Sequence, residues 1–165
     1  MPEQQTIERA RNDAREGKSP STQAGEFVRE EFHHVREGKH GARSPKQAIA
    51  IGLSKARRAG VKLPPPKPGR TSAKVRQQAE RDNERGRQVE PERVSRRRSR
   101  ATLRALRREG HSAASPRAIA RQTQAASLRR SASERSAAAQ RAVHTKGRAG
   151  LSAAGRKAAR TRMLD

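Results

Sequence analysis

The chain has 165 residues, with 40 Lys and Arg against 16 Asp and Glu, a formal net charge of +24. Only 30% of residues are apolar and 1% aromatic, too few for a core of ordinary size, and without Cys there is no disulfide, thiolate metal site or thiol nucleophile. No apolar run approaches the roughly 20 residues that span a bilayer, and the polar start Met1-Pro2-Glu3-Gln4-Gln5-Thr6 has no leader-like stretch, so a cytoplasmic protein that avoids membranes is expected.

The charge is uneven. Residues 1–60 hold twelve basic and eight acidic side chains, whereas residues 93–165 hold twenty and three. A mildly basic folded part therefore precedes an arm suited to a polyanion. Arg outnumbers Lys thirty-one to nine, which favours planar, bidentate contacts to phosphate.

Helices with clear breaks occupy the N-terminal third. Thr6 to Glu16 is a short polar helix closed by Gly17. Ser19-Pro20 starts a second, with Ser as N-cap and Pro at the first helical position. Ala24, Phe27, Val28, Phe32 and Val35 fall within an arc of about 140° of that helix. Glu31 interrupts this packing face, and Gly38 ends the helix. Ser44-Pro45 repeats the start signal for a helix over Lys46 to Ala59. Ile49, Leu53 and Ala56 lie on one stripe, Ala48 and Ile51 lie beside it, and Gly60 caps it. Residues 1–63 thus contain the expected core. Pro64-Pro65-Pro66-Lys67-Pro68-Gly69 reads as a stiff linker over 64–70. Residues 71–90 have helical propensity, with few apolar anchors and an interruption at Gly86. Arg-Glu-Gly precedes Ser-Pro three times, at 15–20, 36–45 and 108–116, a pattern that helix stop and start signals generate for the most part, with a duplicated helix–break–helix unit as the alternative.

The sharpest candidate for chemistry lies between Glu92 and Glu109. On a helical wheel Arg93, Arg96, Arg97, Arg100, Arg104, Arg107 and Arg108 share an arc of about 120°. A helix of roughly 19 residues is about 28 Å long, enough to follow a duplex over most of one turn. Like charges three and four residues apart weaken such a helix in isolation, so the segment is expected to need a polyanion. Arg129, Arg130, Arg156, Lys157, Arg160 and Arg162 continue the basic arm, and Gly147, Gly150 and Gly155 are expected to break its helix. Lys55, Arg57 and Arg58 are expected to extend the basic surface into the N-terminal part.

Other chemistry finds little support. Glu30, His33, His34, Glu37 and His40 are close in sequence, but adjacent His residues point about 100° apart and no H-E-x-x-H is present. They are expected to form an exposed polar face, with no metal and no cofactor. No catalytic constellation or phosphate loop occurs, so the protein is not expected to be an enzyme. The break from Gly38 to Ser44 is longer than the turn of roughly 3–4 residues in a helix-turn-helix. The two aromatic rings, Phe27 and Phe32, lie on the packing face and leave none for base stacking, so readout of sequence is not expected.

Over Lys39-His40-Gly41-Ala42-Arg43-Ser44-Pro45-Lys46-Gln47-Ala48-Ile49-Ala50-Ile51-Gly52-Leu53-Ser54-Lys55-Ala56-Arg57-Arg58-Ala59-Gly60 the chain resembles a family of small, uncharacterised bacterial proteins with a Lys-Gln-Ala-Ile-Ala-Ile core. The resemblance implies a bacterial setting and no established activity. Gly52 stands where that family more usually has Ala, a change expected to weaken the helix slightly. Leu151 to Arg162 is similar in composition to the Ala- and Arg-rich ends of bacterial histone-like proteins.

Together these features predict an all-α protein: a small helical unit at 1–63, a linker at 64–70, and a basic arm at 71–165, part helical and part disordered. The expected role is non-enzymatic, largely sequence-independent DNA binding in the bacterial nucleoid. An RNA- or ribosome-associated role and a protein-interaction adaptor acting through residues 20–60 are the alternatives. The oligomeric state is left open.

Overall fold

A computed structural model of the chain describes residues 2–88 and 95–164. These residues form an all-α structure of seven helices: α1 (Gln4–Arg15), α2 (Pro20–Arg36), α3 (Pro45–Arg58), α4 (Ala73–Arg87), α5 (Arg96–Arg107), α6 (Pro116–Leu128) and α7 (Ala132–Leu164). A 3-10 turn at Ser112–Ala114 precedes α6. None of these helices is long and apolar enough to cross a membrane.

Local signals place the helix ends. The Ser19 hydroxyl accepts from the Thr22 N–H, Ser44 from Gln47 and Ser115 from Ala118, each with a proline directly after the cap. The chain leaves α1 and α2 through Gly17 and Gly38, both at positive φ. The Ser-Pro start thus caps a helix three times, whereas the glycine stop takes positive φ at Gly17 and Gly38 but not at Gly110.

Two compact units are formed, Met1–Gln122 and Thr123–Asp165, divided within α6. In the first, α2 packs against α1 and α3, and α4 packs on the far side of α3. One apolar cluster joins Ala10, Ala24, Phe27, Ala56 and Val61, with Ile7, Leu53 and Leu63 against it. A second joins Val35, Ala42, Ala48, Ala113 and Ala114, with Phe32 alongside. Each cluster holds one Phe, and most of the remaining members are Ala, so burial relies on helices approaching closely. Gly52 of α3 faces the α2 backbone, where an added Cβ would lie 2.7 Å from Val28 Cα. Its small size serves the helix crossing as well as costing helix propensity. Gly86 does the same between α4 and the Arg57 carbonyl, and α4 runs through Gly86 instead of breaking there.

Packing continues beyond residue 63. Ala79 and Asp82 of α4 are buried, the Ser54 hydroxyl donates to Asp82 Oδ2 at 2.7 Å, and Asn83 donates to the Leu63 carbonyl at 3.0 Å. The proline-rich segment is tied to α3 at its start by a bond from Arg57 to the Pro64 carbonyl. Ala113 and Ala114 reach the α2–α3 cluster from a position later still in the chain. The tie is electrostatic as well as apolar, since Arg36 Nε donates to the Ala114 carbonyl at 3.1 Å.

The second unit contains no buried residue among those described. Its helix α7 is two helical stretches joined at Gly147, whose φ is 68°. Gly150 and Gly155 lie inside helix, so of the three expected breaks only Gly147 interrupts the geometry. Local Ala content carries this unit rather than burial.

Candidate nucleic-acid interface

The α5 helix has twelve residues, about 18 Å at 1.5 Å per residue. That is roughly half a duplex turn, shorter than the span expected from residues 92–109. Arg93 lies outside the described residues. Arg96, Arg97, Arg100, Arg104, Arg107 and Arg108 are all exposed, the last as the C-cap. Helical spacing keeps them on one side, and among the described residues none of the six forms an ion pair. No acidic residue stands in the first turn of α5 and the Ser95 side chain makes no cap bond. What positions α5 is its far end. The Gly41 N–H donates to the Leu106 carbonyl at 2.9 Å, and the Ala42 N–H donates to the Gly110 carbonyl at 3.0 Å. The loop between α2 and α3 thus holds a helix that intrinsic propensity alone supports poorly.

Other cations of the fold are used internally. Arg9 and Arg29 pair with Glu26, Lys18 with Asp13 and Glu16, Lys39 with Glu3 and Glu37, and Arg76 with Glu80. This separates two kinds of basic residue: those matched by neighbouring acids in α1–α4 and the exposed arginines of α5.

Of three residues expected at the basic surface, Lys55, Arg57 and Arg58, the first two turn inward. Lys55 points inward, with Nζ 3.0 Å from Glu30 Oε1 and 2.7 Å from Glu31 Oε2. Arg57 is buried and donates to the Leu63 and Pro64 carbonyls at 3.3 and 3.2 Å. Burial lowers its pKa, and Asp82 opposes that effect. Both residues are spent on the fold because α3 turns this side towards α2 and the 61–64 segment. Arg58 is exposed, donating to the Ser54 carbonyl with Asp82 3.8 Å away.

In the second unit Arg129, Arg130, Arg156, Lys157 and Arg160 are exposed, and Arg162 falls in the last turn of α7. The Arg130 carbonyl accepts from Arg135. These residues remain spread along helix and turn rather than gathered into a cleft.

The acidic and His residues at the end of α2 do not form the expected exposed face. Glu30 and Glu31 are buried, as is His40, while His33 is exposed. For Glu30, burial is the largest influence and pushes its pKa up. The Glu3 N–H, the Thr6 hydroxyl and Lys55 together outweigh it, so the carboxyl lies below its ordinary value. Glu3 is brought down to about 2 by hydrogen bonds from His34 and Lys39. Sequence reasoning missed Glu31 as a polar site because it falls inside an apolar arc. The available signal was its spacing of three residues from His34.

Residues 17–67 match a family of unknown function, DUF6496. The match takes in α2, α3 and the loop between them, and it contains the stretch 39–60. No curated protein and no solved structure matches the chain.

Proposed function

We propose that the protein binds nucleic acid without catalysis and largely without reading sequence, with duplex DNA as the preferred partner. The observation that carries this reading is the set of six exposed arginines along one side of α5 that form no ion pair among the described residues, whereas α1–α4 match many of their cations with acids. Arginine forks suit phosphate oxygens. Releasing counterions from the duplex offsets the repulsion among the arginines. A short helix held at one end presents these groups along a groove edge, and the basic residues of α7 add sequence-independent contacts. In a bacterial cell this activity belongs at the nucleoid.

Fluorescence anisotropy with a random-sequence duplex and a structured RNA at equal salt tests the proposal. Duplex should bind more tightly, and if six to ten phosphates are engaged its affinity should fall about 10^3- to 10^5-fold between 50 and 200 mM salt. Tighter RNA binding would transfer the role to RNA or ribosome association. Failure to bind either polymer in dilute buffer would overturn the reading and leave residues 20–60 as an adaptor surface.

A further inference from the structure

We propose that Glu31, His34 and His40 form a binding site for a divalent transition metal of the zinc type. One ligand atom from each residue lies within 4.8 Å of the other two. Glu31 and His34 are three residues apart on α2, hence on the same face. His40 comes from the following loop, returned to the helix by the reversal at Gly38, whose φ is 73°.

Charge balance supplies the first argument. Glu30 and Glu31 are both buried, and the Lys55 ammonium reaches both. One ammonium against two buried carboxylates leaves a negative charge at low dielectric unless His40, 3.2 Å from Glu31 Oε1, carries a proton or a further cation binds. The Glu31 side chain is fully buried, yet neither of its oxygens receives a well-directed hydrogen bond. Lys55 and His40 approach them at 2.7 and 3.2 Å off the favoured line. Oxygens in that state are suited to a metal bond.

The surroundings of each ligand supply the second argument. His40 Nδ1 lies 3.1 Å from the Gly41 carbonyl, so a proton there leaves Nε2 with its lone pair facing Glu31 Oε1. His34 Nε2 lies 2.9 Å from Glu3 Oε1, so a proton there leaves Nδ1 free to ligate. Glu31 Oε2 lies against Lys55, leaving Oε1 on the His40 side. A partner that fixes the second atom of each ligand is the usual outer shell of a metal site. Two imidazoles and one carboxylate select a transition metal over magnesium or calcium. Three protein ligands leave a fourth position for water. Metal–ligand bonds of about 2.0–2.2 Å require the three atoms to draw closer than their present spread. His34 borders a small open pocket with Glu3, Glu30 and Lys39, which gives it room to adjust. A bound ion would also steady the loop whose Gly41 N–H holds the end of α5.

The test is titration of the chelator-treated full-length protein with Zn2+ alone, and with Co2+ for its absorption spectrum. One equivalent should bind, Co2+ should show tetrahedral absorption bands, and thermal stability should rise with Zn2+. His34→Ala and His40→Ala should each weaken binding by at least about tenfold. Glu3→Gln, which removes an exposed outer partner, should weaken it by about 10–100-fold. His33→Ala and His144→Ala should leave it unchanged. In case the site variants do not fold, nitrogen NMR of the imidazoles in the unaltered protein should shift only His34 and His40 on adding Zn2+. Absence of Zn2+ binding, shifts at other histidines, or equal losses from His144→Ala would overturn the proposal. The cluster would then be an ion-pair network alone.

Discussion

Arg57 and Arg100 have the same side chain and opposite employment. Arg57 is 7% exposed and spends its donors on two backbone carbonyls. Arg57→Ala should therefore lower stability by about 1.5–3 kcal/mol, the range for hydrogen bonds from a charged group, as read by urea denaturation. Its effect on duplex affinity should be small where the protein is folded. Arg100→Ala and Arg104→Ala should leave the urea midpoint in place. Each should weaken duplex binding and flatten the salt slope by about 0.9 for every phosphate that is no longer neutralised. The wheel pattern in α5 was legible because it depends only on spacing along one helix. The inward turn of Lys55 and Arg57 was not, because it depends on which side of α3 faces α2 and the 61–64 segment. Nothing in a local run of Lys-Ala-Arg-Arg distinguishes these residues from Arg58.

At the level of elements, the starts of α2, α3 and α6 were readable, since serine caps and N1 prolines act within one turn, whereas α5 begins at Arg96 rather than near residue 92. Helix crossings were not. Gly52 reads as a weak point in α3, since Ala is a better helix former by about 1 kcal/mol. The α2 backbone stands where that methyl group would go. Overpacking costs about 1–3 kcal/mol, so after the gain in helix propensity Gly52→Ala should destabilise the fold by a net of up to about 2 kcal/mol. A thermal melt of this variant measures the balance. A rise in melting temperature would show that the helices separate at little cost. The same reasoning explains why a core with two Phe residues and many Ala is sufficient to order the helices: small side chains admit close approach, and dispersion contacts grow steeply as the gap closes.

For the molecule as a whole, acid is the informative perturbation. Glu3 and Glu30 are both held below the ordinary carboxyl value of 4.5 in the folded state, so the unfolded chain takes up their protons first. Their contribution to stability is complete above about pH 4.5 and is lost as pH falls through their lowered folded values. Urea midpoints measured from pH 6 to pH 2.5 should decline below about 4.5. Glu30→Gln should lose stability at pH 6 and show a shallower decline. An unchanged acid limb in that variant would remove the α1–α2–α3 charge network from the account. Glu3 belongs to this network although it precedes α1, because its backbone N–H and its carboxylate reach Glu30 and His34 of α2.

The sequence by itself determined the all-α class, the starts of α2, α3 and α6, the separation of a mixed-charge beginning from an arginine-rich end, and the arginine spacing of α5. Each of these follows from composition or from intervals shorter than one helix. Only the tertiary structure decided that α4 and Ala113-Ala114 join the packing of α2 and α3, that Lys55 and Arg57 turn inward, and that Glu31, His34 and His40 meet. Those outcomes depend on contacts between residues far apart in the chain, where closeness is set by how helices cross and by which atoms leave solvent together.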